Sequence, residues 1–110
     1  MRIGKNCQIN STAISDPSLI ELGDYVTIGG SATICAHYAS GGFLVIAPVK
    51  IGSGATIGLR AIIMGGVEIG EKAKLLPNSV VLPKTKIPAG ETWGGVPAIR
   101  LSTAKSGAEP

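Results

Sequence analysis

Ile51-Gly52-Ser53-Gly54-Ala55-Thr56, Ile57-Gly58-Leu59-Arg60-Ala61-Ile62, Ile63-Met64-Gly65-Gly66-Val67-Glu68 and Ile69-Gly70-Glu71-Lys72-Ala73-Lys74 are four successive hexads of one pattern. An isoleucine opens each, and a small or branched residue (Ala55, Ala61, Val67, Ala73) stands four places after it. Working outward, the aliphatic position continues as Leu75, Val81 and Ile87 downstream and as Val45 upstream, so every sixth residue from Val45 to Ile87 is Ile, Leu or Val. Those three types fill 29 of 110 positions, so composition does not account for an unbroken run of eight. A glycine follows Ile51, Ile57 and Ile69 directly.

A period of six matches neither the 3.6 of a helix nor the plain alternation of an open sheet. The chain must therefore turn on schedule. A short strand holds the aliphatic side chain inward, a glycine or small residue relieves the corner, and three hexads close one triangular coil. Stacked coils pair as parallel strands about 4.8 Å apart, so residues three hexads apart, such as Ile51, Ile69 and Ile87, form an internal ladder. Upstream the pattern is broken: Ile3 and Ile9 open it, a step of thirteen leads to Leu22, and Ile28 and Ile34 continue it. From Ile34 to Val45 is a step of eleven, a surplus of five that must leave the coil, with Ala36 to Phe43 as the candidate excursion. The expectation is an all-β parallel β-helix of about five triangular coils over residues 1–100, with one protruding loop over 36–44 and a small, polar tail over 101–110.

Composition fits this architecture and narrows the function. Sixteen glycines serve the corners. The net charge of +3 comes from scattered Lys and Arg, with Lys84, Lys86 and Arg100 as the one late cluster, so nucleic acid is not implied. A phosphate-bearing small ligand would suit that cluster, and so would a plain solvated face. No apolar run is long enough to span a bilayer and no charged-then-apolar leader opens the chain, so neither a membrane span nor a signal peptide is expected and a cytoplasmic location is. Cys7 and Cys35 form no motif: Cys7 falls in the small-residue slot after Ile3, whereas Cys35 precedes the excursion, and both read as free thiols. A solenoid of this length with two open ends is marginal alone, so oligomerisation is expected.

With the repeat, the excursion and the ending Ile87-Pro88-Ala89-Gly90-Glu91-Thr92-Trp93-Gly94-Gly95-Val96-Pro97-Ala98 together, the chain resembles the hexapeptide-repeat acyltransferases, whose fold is a left-handed parallel β-helix. The paired repeats from Ile51 to Glu71 are similar to those of the maltose, galactoside and xenobiotic acetyltransferases, and the resemblance runs from about Leu22 to Arg100. It implies transfer of an acyl group, by family habit acetyl, from acyl-CoA to a hydroxyl or amine of a small-molecule acceptor. It also implies a homotrimer, with the pantetheine arm lying between the coils of adjacent subunits and no covalent enzyme intermediate.

The same resemblance makes His37, in Thr33-Ile34-Cys35-Ala36-His37, the general base. The chemistry suits the residue, because imidazole takes and returns a proton near neutral pH, and His37 is the one histidine of the chain. A backbone N–H at Gly65 or Ala61 is implied as the oxyanion donor, so Ala61 and Gly65, together with Lys84, Trp93 and Arg100, are the residues implied for the acyl-CoA donor. Asn10, Asp16 and Tyr38 are implied at the acceptor. The plainer reading of each stands beside these: Asn10 and Asp16 as turn residues, Trp93 as packing, Lys84 and Arg100 as exposed charge, and Tyr38 as a loop residue packing on a neighbour.

The chain departs from the sugar acetyltransferases at Thr56, at Met64-Gly65-Gly66 and over Val80 to Pro88. There it is closer to hexapeptide domains attached to synthetase-like proteins, which brings in an acyl carrier protein as the alternative donor. A non-catalytic β-helix scaffold, or a truncated domain, is the second reading. A carbonic-anhydrase-like metal enzyme on the same fold is the third; it gathers three histidines, and one per chain with Cys35 as the nearby substitute is a poor match, so no metal is expected.

Overall fold

A computed structural model describes residues 1–11 and 13–102. Apart from a single 3-10 turn at Pro17–Leu19, its regular elements are strands, and no helix is long and apolar enough to cross a membrane among these residues. The first coil runs through β1 (Arg2–Ile3), β2 (Gln8–Ile9) and β3 (Ala13–Ser15), and the second through β4 (Ile20–Leu22), β5 (Thr27–Ile28) and β6 (Thr33–Cys35). An antiparallel hairpin, β7 (His37–Ser40) and β8 (Phe43–Ile46), then leaves the body. The third coil holds β9 (Val49–Ile51), β10 (Thr56–Ile57) and β11 (Ile62–Ile63), and the fourth holds β12 (Glu68–Ile69), β13 (Lys74–Leu75) and β14 (Val80–Val81). The fifth, β15 (Lys86–Ile87) and β16 (Thr92–Gly94), is closed by β17 (Ile99–Ser102) running back along β16.

Corresponding strands of each coil stack into three parallel faces. Face A is β1-β4-β9-β12-β15, face B is β2-β5-β10-β13-β16 with β17 on its end, and face C is β3-β6-β11-β14. The result is a parallel β-solenoid of about five turns. Its core is the six-residue column read from the sequence: Leu22, Ile28, Ile34, Ile51, Ile57, Ile63, Ile69, Leu75, Val81 and Ile87 are all buried. Two places before most inward residues a smaller one fills the corner, and Val26, Ala32, Val49, Ala55, Ala61, Val67 and Ala73 are sealed from solvent. Ser79 sits in the same slot, its Oγ donating to the Leu76 carbonyl at 2.8 Å and accepting the Gly95 N–H at 3.1 Å, so a buried hydroxyl is satisfied.

Two different constraints operate at the corners. At Gly52, one place after the inward residue, a Cβ would lie 2.8 Å from the Glu71 backbone nitrogen of the next coil, so bare backbone is needed for close stacking. Three places after the inward residue the chain takes a left-handed conformation, at Gly54, Arg60, Gly66, Lys72, Asn78, Lys84 and Gly90 in succession. This is the turn that keeps the period at six. Glycine is optional there: Arg60, Lys72, Asn78 and Lys84 carry side chains at φ between 60 and 64°.

Several sequence expectations need correction. Val45 is not a coil residue: it lies in β8 opposite Tyr38, and its place in the six-residue run is coincidence. Ile34 stacks on Ile63, so the excursion adds eleven positions to the three hexads of a regular coil, and it is an ordered hairpin instead of a loop with a surplus of five. Upstream, the step of thirteen conceals a whole strand, β3, whose Ile14 stacks on Ile34. The expected tail also begins too early, since Leu101 and Ser102 belong to β17; the rest of it, 103–110, lies outside the described residues.

Candidate active site

The corner between faces C and A brings together residues that are remote in sequence. β3 and β6 pair in parallel with Ser15 opposite Cys35, so the residues that leave these two strands emerge side by side. Asp16, next after β3, takes a left-handed conformation at φ 60°, which an aspartate tolerates better than most residues. His37, the first residue of the hairpin, meets it: His37 Nδ1 and Asp16 Oδ2 are hydrogen-bonded. Both side chains are a little over a third exposed, so the pair is anchored at the surface and reachable. Cys35 Sγ lies 3.5 Å from each ring nitrogen of His37 and also approaches the His37 carbonyl at 3.5 Å. Both cysteines are free thiols.

The next two coils extend the same corner. The hairpin base is closed by the Ala47 N–H donating to the Ala36 carbonyl at 2.9 Å. Directly against it lies Gly65, where a Cβ would come within 3.1 Å of the Ala36 carbonyl carbon and 3.2 Å of Tyr38 Cδ1. A side chain here would push the hairpin outward. Among the described residues the Gly65 N–H has no backbone acceptor, while its carbonyl receives the Lys84 N–H at 3.0 Å. One coil further along, Lys84 packs its Cγ 3.0 Å from where a Gly66 Cβ would be. Asp16, His37, Gly65 and Lys84 are therefore stacked coil upon coil, with the Tyr38 ring across the glycine.

The remaining sequence candidates sit elsewhere in the chain. Ala61 is buried, and its N–H already donates to the Gly58 carbonyl at 3.2 Å, so it is corrected as a donor for an oxyanion. Asn10 follows β2 at the corner between faces B and C, its N–H held by the Ile28 carbonyl at 3.0 Å. Trp93 takes the inward slot on face B, opposite Leu75, and its Nε1–H donates to Glu91 Oε1 at 2.9 Å. Arg100, on β17, pairs across to Trp93. Within one chain these three are not part of the His37 corner. A hollow of about 560 Å³ lies on face A, lined by Arg2, Glu21, Lys50, Glu68 and Lys86 among others, and does not include His37 either.

The family resemblance assigns Asp16 to the acceptor and does not foresee its bond to His37. The two are far apart in sequence across an irregular coil, and only the stacking of β3 on β6 relates them.

Known proteins resemble the chain to different extents. Residues 48–83 match the family model described as the hexapeptide repeat of succinyl-transferase. The chain carries the hexapeptide repeat over this stretch. The solved structure of a hexapeptide-repeat-containing acetyltransferase from Vibrio cholerae superposes on the repeat chain with a TM-score of 0.86 at 30% identity, covering 94% of this chain and 62% of that one. The same Vibrio acetyltransferase has also been solved in complex with acetyl coenzyme A. In sequence, the repeat chain is 37% identical over 82 residues to gamma carbonic anhydrase 2 of Arabidopsis thaliana, covering 74% of this chain and 24% of the relative. It is 25% identical over 99 residues to the delta-poly-L-ornithine synthetase of Acinetobacter baumannii, covering 90% of this chain and 7% of the relative. The repeat chain thus spans under two thirds of the Vibrio transferase and a quarter or less of these two sequence relatives.

Proposed function

We propose that the protein is an acyltransferase moving an acyl group, acetyl by preference, from acyl-CoA to a hydroxyl or amine of a small-molecule acceptor. The observation that carries this reading is the His37–Asp16 pair at the hairpin base, beside Gly65. Asp16 accepts the Nδ1 proton, which selects the tautomer with its lone pair on Nε2. His37 Nε2 takes the acceptor's proton as the acceptor oxygen or nitrogen attacks the thioester carbonyl. Asp16 stabilises the imidazolium that forms. The Gly65 N–H, which has no backbone acceptor among the described residues, is the donor for the oxyanion of the tetrahedral intermediate. As the carbon–sulfur bond breaks, His37 returns the proton to the departing thiolate, so acylated acceptor and free CoA thiol leave and the enzyme is restored. Neither cysteine is needed as a nucleophile.

Lys84 lies on the same corner and suits a donor phosphate. Tyr38, across Gly65, suits the acceptor. Trp93 and Arg100, at the far end of face B, would meet the donor only from an adjacent subunit, in keeping with a homotrimer. The hairpin gives that assembly a reason, because it holds Phe43, Leu44 and Ile46 out in solvent, 61 to 76% exposed. The structural similarity to the Vibrio acetyltransferase supports the donor class. The test is release of free CoA thiol from acetyl-CoA in the presence of a panel of sugar, amino-acid and amine acceptors, run together with calorimetric binding of acetyl-CoA. Saturable binding and acceptor-dependent thiol release support the reading. A folded protein that neither binds acetyl-CoA nor releases thiol is a scaffold.

A further inference from the structure

Acyl transfer as written uses His37 and Asp16 and leaves Cys35 without a role, although its sulfur is the atom that closes the group. Asp16 Oδ, Cys35 Sγ and a ring nitrogen of His37 lie within 4.8 Å of one another, and all three side chains are half-buried. Thiolate, imidazole and carboxylate together are the donor set of zinc and related borderline-soft divalent cations. The spacing of the sulfur and nitrogen donors fits as well. Bond lengths of about 2.3 Å to sulfur and about 2.0–2.1 Å to nitrogen at a tetrahedral ion place those two donors about 3.5 Å apart, and the sulfur-to-nitrogen distance is 3.5 Å. Each ligand is carried by an ordered part of the fold: Cys35 by β6, His37 by the first position of β7, and Asp16 by the turn leaving β3.

We propose that Asp16, Cys35 and His37 form a single-chain binding site for a divalent cation of the zinc class, with its fourth position open to solvent, and that filling it switches acyl transfer off. The second half rests on the acyltransferase reading. A cation on either ring nitrogen takes the lone pair that the mechanism requires: on Nε2 it occupies the base directly, and on Nδ1 it forces the ring proton onto Nε2. Binding also withdraws Asp16 from its hydrogen bond and releases the thiol proton of Cys35 to solvent. The switch is reversible by chelation because no covalent bond to carbon is made or broken.

The experiment is titration of the metal-free full chain with cobalt(II), followed by absorption. The expected result is a thiolate-to-cobalt charge-transfer band that saturates at one ion per chain, persists in Cys7→Ser and is absent from Cys35→Ser, with affinity at least about tenfold weaker in Asp16→Asn. Wild type with no saturable band, or a band retained by Cys35→Ser, overturns the site. In parallel, zinc is titrated against acetyl-CoA turnover. Loss of turnover at stoichiometric zinc, restored by a chelator and shifted at least about tenfold upward in zinc by Cys35→Ser, supports the switch; turnover indifferent to an occupied site overturns it. A cobalt band in a protein without transferase activity leaves the metal site standing and removes the acyltransferase reading, so the two failures are distinguishable.

Discussion

In the proposed mechanism Asp16 acts through one hydrogen bond to His37, so its replacement separates positioning from binding. In Asp16→Asn the amide still fills the space but can offer its N–H to Nδ1, which favours the tautomer with Nε2 protonated. The expected outcome is a fall in kcat of about 10²- to 10⁴-fold with KM for acetyl-CoA little changed, read from steady-state kinetics. A proportionate rise in KM with kcat preserved would instead place Asp16 at the donor. Residue-scale stability separates the two kinds of corner in the same way. Gly52→Ala drives a Cβ to 2.8 Å from backbone of the neighbouring coil and is expected to cost about 1–3 kcal/mol in chemical denaturation. Gly54→Asn, at φ 75° in a slot that Asn78 also fills at φ 61°, is expected to cost less than about 1 kcal/mol. The ranking is the prediction, and its reversal would contradict the assignment of the two corners.

At the scale of the element, the hairpin is an insertion into a coil that would otherwise close. Ile34 and Ile63 stack although nearly five hexads separate them, against three for Ile63 and Val81. Between Ala36 and Val49 the coil needs one residue, in the left-handed position that Gly66 and Lys84 take in the coils below. Replacing residues 37–48 by a single glycine restores the three-hexad spacing. That variant is expected to unfold cooperatively with a melting temperature within about 8 °C of wild type, measured by circular dichroism, and to have no transferase activity. Non-cooperative melting would show that the hairpin holds the coils together.

The element scale also explains what could be read in advance. The ladder from Ile51 to Ile87 was legible because three hexads per coil recur without insertion, so inward residues and stacked neighbours follow one arithmetic. The first coil was not legible, because its spacing to the second exceeds three hexads by one position at Ile3 and Ile9 and by two at Ile14, with the 3-10 turn at Pro17–Leu19 absorbing the difference. Val45 misled because a branched residue in a hairpin strand looks the same as one in a coil. His37 could be named through the family resemblance, at the start of the excursion, whereas its bond to Asp16 and its contact with Cys35 depend on which strands stack, and no local pattern carries that information.

Across the whole molecule, the solenoid must hold its coils in order against slippage, and the outer row of face A contributes to this. Arg2, Glu21, Lys50, Glu68 and Lys86 pair rung by rung, alternating in sign from one coil to the next. Arg2 and Glu21 are 3.5 Å apart. Glu68→Lys would set three ammonium groups in a row, and is expected to lower stability by roughly 0.4–2 kcal/mol from two like-charge neighbours, with the loss reduced in high salt. Equal losses at low and high salt would mean that the row contributes by packing alone. The same solenoid leaves the hairpin's Phe43, Leu44 and Ile46 exposed, and the assembly proposed to cover them would also complete the proposed donor site.

The central claim is that the corner built by Asp16, His37 and Gly65 transfers acyl groups. It is tested most directly by acceptor-dependent release of CoA thiol from acetyl-CoA, comparing wild type with a His37→Ala protein of matched circular dichroism and solution mass. The account predicts turnover in the wild type and a loss of about 10²- to 10⁴-fold in the variant. Turnover that survives the loss of His37 would contradict it.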